Sequence, residues 1–151
     1  MSKTIATNHK AYRDYAIIES VECGIELKGS EVKSVRQAKV NLDDSFARIE
    51  DNELILYNTH ISPYAEASYM NVEPARKRRL LLHRSQIDKM EGKLTRKGLT
   101  LIPTRIYFNA RGFAKIELAL CKGKKLYDKR DNIKRRETDL AMRRAMKNRK
   151  N

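Results

Sequence analysis

The side chains that could do chemistry in this chain are cations far more than nucleophiles. Arg76-Lys77-Arg78-Arg79 sets four positive groups in a row, and a run of like charge is either a solvated loop or a contact for a polyanion. The adjacent acids Asp43 and Asp44 would suit a metal-dependent nuclease, yet neighbours on a strand point to opposite faces. Aspartates in turns also commonly serve local hydrogen bonds. None of the six glycines forms a phosphate-cradling loop, and no G-x-S-x-G elbow occurs. His9, His60 and His83 are scattered, and Cys23 and Cys121 form no C-x-x-C pair, so neither zinc ligation nor a redox couple is indicated. Both thiols are expected to be buried and free. The chain reads as a binding protein without a cofactor, not as an enzyme.

Charge is distributed in two places. Residues 122–151 carry thirteen Lys or Arg against four acids, which is +9 of the formal +14. Ordering backbone costs about 1–2 kcal/mol per residue, and a self-repelling segment without a wide apolar face cannot offset that alone. This tail is expected to be disordered when free and to fold against a polyanion, RNA above all. At 100° per residue Met142, Ala145 and Met146 share one side of a helix while Ile133 and Leu140 project elsewhere, so no stripe exists to dock on the body. Residues 1–121 net +5 and hold most of the apolar content, enough for one domain; inside them, residues 76–97 contain nine basic and two acidic side chains. The expected division is a body of residues 1–121 and a tail of residues 122–151. With no run of eighteen apolar residues and no secretory leader at the start, a soluble, cytoplasmic protein without a membrane partner is expected.

The elements that must position these groups are mostly strands. Residues 15–27 mix β-branched and apolar residues at near-alternating positions, with Gly24 a candidate bulge or bend. Residues 29–36 read as a short helix capped by Ser30, with Glu31 in the first turn and Val32 and Val35 facing inward. Residues 46–50 and 53–57 form a hairpin around Asp51-Asn52. Ser85 and Asp88 cap an amphipathic helix carrying Ile87, Met90 and Leu94 and closing near Gly98, with Arg84, Lys89, Lys93 and Arg96 outside. Residues 104–108 and 113–120 make a second hairpin whose later strand alternates Ala114, Ile116, Leu118 and Leu120 inward with Lys115, Glu117 and Ala119 outward. Many short antiparallel strands with a few helices predict a mainly β fold, an OB-like small closed antiparallel barrel, followed by the basic tail. Tyr12, Tyr57, Tyr64, Tyr69 and Tyr107 are each open to a stacking or a packing role.

Four ordered segments carry a resemblance: residues 29–36 (GSEVKSVR), 39–45 (KVNLDDS), 79–84 (RLLLHR) and 122–130 (KGKKLYDKR). Together they resemble the tmRNA-binding protein family, known as small protein B or SsrA-binding protein, from about Asn8 to the C-terminus. The resemblance implies a non-enzymatic RNA-binding protein of trans-translation. It would bind the tRNA-like domain of tmRNA and deliver it to stalled 70S ribosomes on messages lacking a stop codon. Its tail would enter the decoding centre and empty mRNA channel, becoming helical against small-subunit ribosomal RNA. Elongation factor Tu and alanyl-tRNA synthetase are implied as indirect partners through tmRNA. Residue by residue, Glu31, Lys33, Arg36, Asn41, Leu82, His83 and Lys124 match the tmRNA-contact positions. Tyr127, Asp128, Lys129, Arg130, Ile133, Lys134, Arg135, Arg136, Met146 and Lys147 match the ribosome-facing ones. Lys and Arg meet phosphates, and a carboxylate such as Glu31 could accept from base amino or 2′-hydroxyl groups, or instead satisfy amides at its own helix start. Tyr127 stands where relatives often carry His, which keeps stacking and loses a titrating proton.

Two other classes share the composition. A ribosomal or translation-factor barrel with a basic extension would bind ribosomes regardless of tmRNA, and an RNA-processing enzyme would use Asp43 or Asp44 with Mg²⁺.

Overall fold

The computed structural model describes residues 3–64, 72–124 and 142–144. Among these described residues nine strands and three helices run in the order β1 (Lys3–Thr7), α1 (His9–Asp14), β2 (Tyr15–Ile25), α2 (Gly29–Arg36), β3 (Val40–Asn41), β4 (Phe46–Glu50), β5 (Glu53–Tyr57), β6 (His60–Ile61), β7 (Arg78–Leu81), α3 (Arg84–Lys97), β8 (Thr100–Phe108) and β9 (Ala114–Gly123). The large sheet is ordered β1-β8-β4-β5-β7-β2-β9, and β8 pairs β9 as well. That last pairing closes six strands into a ring, all antiparallel, which is the small barrel expected from the strand pattern. β1 lies outside the ring along the later half of β8, and β3 with β6 forms a separate two-stranded ribbon.

Local sequence explains the hairpins. Asp51 and Asn52 both adopt positive φ, 49° and 64°, the geometry that matches the twist of a two-residue hairpin. Leu54 and Leu56 then face the core opposite Ile49 and Ala47. At the β8–β9 turn, Asn109 Oδ1 accepts from the Arg111 and Phe113 amides. Inside the ring Leu54, Leu56, Leu80, Leu101, Ile106, Ile116 and Leu118 are buried, and Ile87 and Met90 bring α3 onto the same core. Gly98, at φ 60°, ends α3 in the left-handed conformation that spares glycine a Cβ penalty.

Four sequence expectations shift by small, explicable amounts. Gly24 is not the bulge; the register slips between Ile17 and Glu19 instead. Gly24 is paired on both sides, and a Cβ there would stand 3.1 Å from Leu81 Cβ, so the residue permits close strand approach. Lys28, not Ser30, is the residue before α2, and His83, not Ser85, precedes α3, with the His83 carbonyl accepting from Gln86 and Ile87. Val35 is buried as expected while Val32 is only half-buried, because Glu31 and Ser34 take the inner positions. Finally, Ala119 is buried although it faces away from the main core, along with Cys121, whose burial is the expected one. A second small cluster of Ala11, Ile102 and Cys121 forms there because α1 covers the outside of β8 and β9.

That covering helix had no counterpart in the strand reading, and its anchor is Asn8. Its Oδ1 accepts from Ala11 N at 3.0 Å while its Nδ2 donates to the Leu42 and Pro103 carbonyls at 3.1 and 2.9 Å. One buried amide therefore caps α1 and ties it both to the loop before β4 and to the bulged stretch of β8, where Pro103 offers no amide. Cys23 and Cys121 are free thiols as expected, and burial pushes both up to about 12. Among the described residues no helix is long and apolar enough to cross a membrane.

Candidate RNA interface

The four-cation run splits because its second half is a strand. Side chains alternate along β7, so Arg78 and Leu80 point in while Arg79 and Leu81 point out. Lys77 is exposed as well, and Arg76 leans across to Glu31. Contiguous charge in sequence thus becomes two outward cations and two committed ones.

Glu31 occupies the third position of α2 and is itself buried, with its side chain 4% exposed against 0% for Arg78. Oε1 accepts from the Lys28 amide at 2.9 Å and from Arg76 Nη2 at 2.5 Å, and Oε2 accepts from Arg78 Nε at 2.6 Å. Arg78 then donates through Nη1 to the Thr59 and Arg76 carbonyls at 2.6 and 3.2 Å and through Nη2 to Pro74 O at 2.9 Å. Four pieces of chain meet at one carboxylate and one guanidinium: the start of α2, the residue before β6, residues 74–76 and the first residue of β7. Burial alone would raise the Glu31 carboxyl; the Arg76 hydrogen bonds, the Lys28 amide and Arg78 outweigh it and hold the group below the usual carboxylate value. Burial draws the Arg78 guanidinium below its ordinary value against the opposing pull of Glu31.

Lys33 and Arg36 are exposed on α2, with Lys33 Nζ 5.4 Å from the Tyr64 ring centroid and Arg36 Cζ 5.3 Å from that of Phe108. Asn41 is exposed in β3 opposite His60, and its Oδ1 accepts from the Asp43 amide at 2.8 Å. Because α2 lies against β6, Glu31, Lys33, Arg36 and Asn41 share one neighbourhood. Leu82 is half-buried on the core edge directly after β7, and His83 is exposed where α3 begins. Lys124 belongs with α1 instead, where Nζ donates to the Tyr12 carbonyl at 2.8 Å in the last turn of that helix. Tyr127, Asp128, Lys129, Arg130, Ile133, Lys134, Arg135, Arg136, Met146 and Lys147 lie outside the described residues, as does Tyr69.

The other aromatic and acidic candidates resolve by burial. Tyr107 is buried with its hydroxyl donating to Glu22. Phe46 and Tyr57 stack at 5.2 Å, with Arg48 5.1 Å from the Phe46 ring and Lys77 5.2 Å from the Tyr57 ring. Asp43 and Asp44 sit in a turn rather than on a strand; Asp44, at φ 62°, pairs with Lys10 at 2.5 Å. Among the described residues no three His, Cys, Asp or Glu side chains converge to hold a metal ion. An open groove of about 1310 Å³ between α1, β4 and α3 is lined by Arg13, Arg48 and Lys124 but also by Asp14, Asp44 and Glu91, a mixed bed for any polyanion. What sequence reasoning missed was the Arg76–Glu31–Arg78 node: Arg78-Arg79-Leu80-Leu81 does not alternate in residue type, and only the strand's burial pattern shows which arginine turns inward.

The family model described as SmpB protein matches residues 5–148. The chain is similar to the SsrA-binding protein of Caldicellulosiruptor saccharolyticus, 57% identical over 145 residues that cover 96% of this chain and 91% of the relative. It is 61% identical over 135 residues to the SsrA-binding protein of Caldanaerobacter subterraneus subsp. tengcongensis, covering 89% and 85% respectively. A solved structure described as "tmRNA-SmpB: a journey to the center of the bacterial ribosome" superposes with a TM-score of 0.67 at 54% identity, over 79% of this chain and 83% of that one.

Proposed function

Because this chain belongs to the SmpB protein family, we propose that it is an RNA-binding protein of trans-translation. It grips the tRNA-like domain of tmRNA with its barrel and carries it, in the cytoplasm, to stalled 70S ribosomes whose message has no stop codon. The observation that carries this reading is the α2 neighbourhood. Lys33 and Arg36 stand outward on a helix that a buried carboxylate locks to β7, and Lys77 and Arg79 stand outward from the locked strand. Rigidly held cations suit a folded RNA, whose phosphates keep fixed spacing. Asn41, Leu82, His83 and Lys124 complete the proposed tmRNA contact, reached from β3, the end of β7 and the end of β9.

The second half of the reading concerns residues 122–151. Their excess of cations supports a segment that orders in the decoding centre and empty mRNA channel, with Tyr127, Asp128, Lys129 and Arg130 first and Ile133, Lys134, Arg135, Arg136, Met146 and Lys147 beyond, against small-subunit RNA. Elongation factor Tu and alanyl-tRNA synthetase would be reached only through tmRNA. The work is binding and placement, without a catalytic step or cofactor.

The test is affinity capture of the full-length chain from a bacterial lysate followed by sequencing of the bound RNA. Enrichment of one structured RNA with a tRNA-like end is expected. Equal recovery of all RNAs would overturn the reading in favour of a general ribosomal protein. With about six phosphates neutralised, log affinity for that RNA should fall against log salt with a slope near −4 to −5, at roughly 0.7–0.9 per contact.

A further inference from the structure

Glu31 matches an RNA-contact position, yet its carboxylate has nothing left to offer an RNA. Both oxygens already accept from Lys28, Arg76 and Arg78, and the side chain is 4% exposed. We propose that Arg78 and Arg76 are positioning residues for RNA recognition, that they hold Glu31 and through it α2, and that Glu31 acts on RNA only by this route.

The geometry of a helix turns that lock into a presentation device. At 100° per residue Lys33 projects 200° around the axis from Glu31 and Arg36 projects about 140° from it, so seating Glu31 inward aims both cations at solvent. Both are exposed as this requires. The lock is all-or-none because a buried charge stripped of its partner is strongly unfavourable: Arg78 cannot withdraw without abandoning Glu31 and the Thr59, Pro74 and Arg76 carbonyls together. It also subtracts two cations from the apparent charge of the 76–79 run, leaving outward only Lys77 and Arg79, the latter in an exposed pair with Glu53 at 3.7 Å that solvent screens.

This inference rests on the RNA-binding reading, so its experiment has one arm with RNA and one without. Full-length Arg78→Lys and, as the milder variant at a partly exposed site, Arg76→Lys are compared with wild type by amide hydrogen exchange in the absence of RNA. The amides of α2 and of residues 76–79 should exchange about tenfold faster while those of β9 keep their protection, which also shows that the barrel is intact. The same variants are titrated with the tRNA-like domain of tmRNA. Affinity should drop about tenfold with the salt slope unchanged, since no phosphate contact is removed, and combining Glu31→Gln with either Arg variant should cost no more than the larger single change. Unchanged exchange in α2, a salt slope lowered by roughly 0.7–0.9 in either Arg variant, or strictly additive losses with Glu31→Gln would each overturn the proposal. Should wild type itself prefer no tRNA-like RNA, the functional reading falls, while the exchange arm still decides whether the lock exists.

Discussion

Two stretches of this chain look alike on paper, the 76–79 run and the segment after residue 121, and they differ in the balance of charge each must settle. In the first, the strand period turns Arg78 inward onto Glu31 and Arg76 follows, so two of four charges are committed to one buried carboxylate, while Arg79 meets Glu53 at 3.7 Å and stays exposed. In the second, thirteen Lys or Arg face four acids, and the surplus must find its counter-charge elsewhere. Local density of cations is therefore a poor measure of what a ligand will feel. What matters is the surplus left after the fold has taken its share.

The largest effect expected of that difference comes from removing the surplus. A chain ending at Leu126 should retain most of its affinity for the tRNA-like domain, measured by filter binding, and should abolish tagging of peptides on stalled ribosomes in a reconstituted system. Joint loss of both activities would break the comparison, because it would place the grip and the ribosomal reading in the same segment. Next in size is removal of the neutralised charge. Arg78→Met leaves Glu31 buried with one partner fewer, and the cost should be about 3–5 kcal/mol in urea denaturation. A loss under 1 kcal/mol would mean that the node is not a stability element.

Acid should reach the same node from the other side. The Glu31 carboxyl titrates below its ordinary value in the fold, because the hydrogen bonds from Arg76, Lys28 and Arg78 outweigh the upward push of burial. The unfolded chain then holds that proton more tightly than the folded one. The contribution is complete above about pH 4.3, the ordinary Glu value, and is lost as pH falls through the folded value. The urea midpoint of wild type should therefore fall more steeply on acidification below about pH 4 than that of Glu31→Gln. Parallel curves would show the carboxylate to be unlinked to folding.

A smaller effect sharpens the count of available charges. Lys77→Ala and Arg79→Ala should each lower the magnitude of the salt slope for RNA by roughly 0.7–0.9, whereas the committed Arg78 should leave it alone. Equal slope changes at Arg78 and Arg79 would erase the distinction between inward and outward positions on β7.

How much of this could be read in advance follows from the range of the interactions. The β4–β5 and β8–β9 hairpins were legible because turn residues and alternation act within a few residues, as Asp51, Asn52 and Asn109 do here. The closed barrel followed from the number of short antiparallel strands. α1 was not legible: its six residues carry little periodicity, and what holds it is Asn8 reaching residues 34 and 95 positions away. Glu31 was found as a site residue through resemblance, but its partners lie 45 and 47 residues distant, where no local pattern connects them. The burial of Ala119, paired with Ile102 of the second cluster, was hidden for the same reason, since it depends on a helix that the strand pattern does not announce.

The smallest expected change uses the same chemistry in water. Lys93 on α3 donates to Glu19 on β2 at 2.7 Å, with the two side chains 38% and 50% exposed. Here a carboxylate and a cation meet at a distance like that of Glu31 and Arg78, but each stays partly hydrated, so little desolvation is saved or spent and solvent screens the attraction. Holding two long side chains in one geometry also costs rotamer entropy. Glu19→Gln should therefore change stability by less than about 1 kcal/mol, and raising salt should shrink even that. If the exposed pair instead matched the several kcal/mol expected of the buried one, burial would not be what separates them, and the lock at α2 would need another cause than the desolvated charge at its centre.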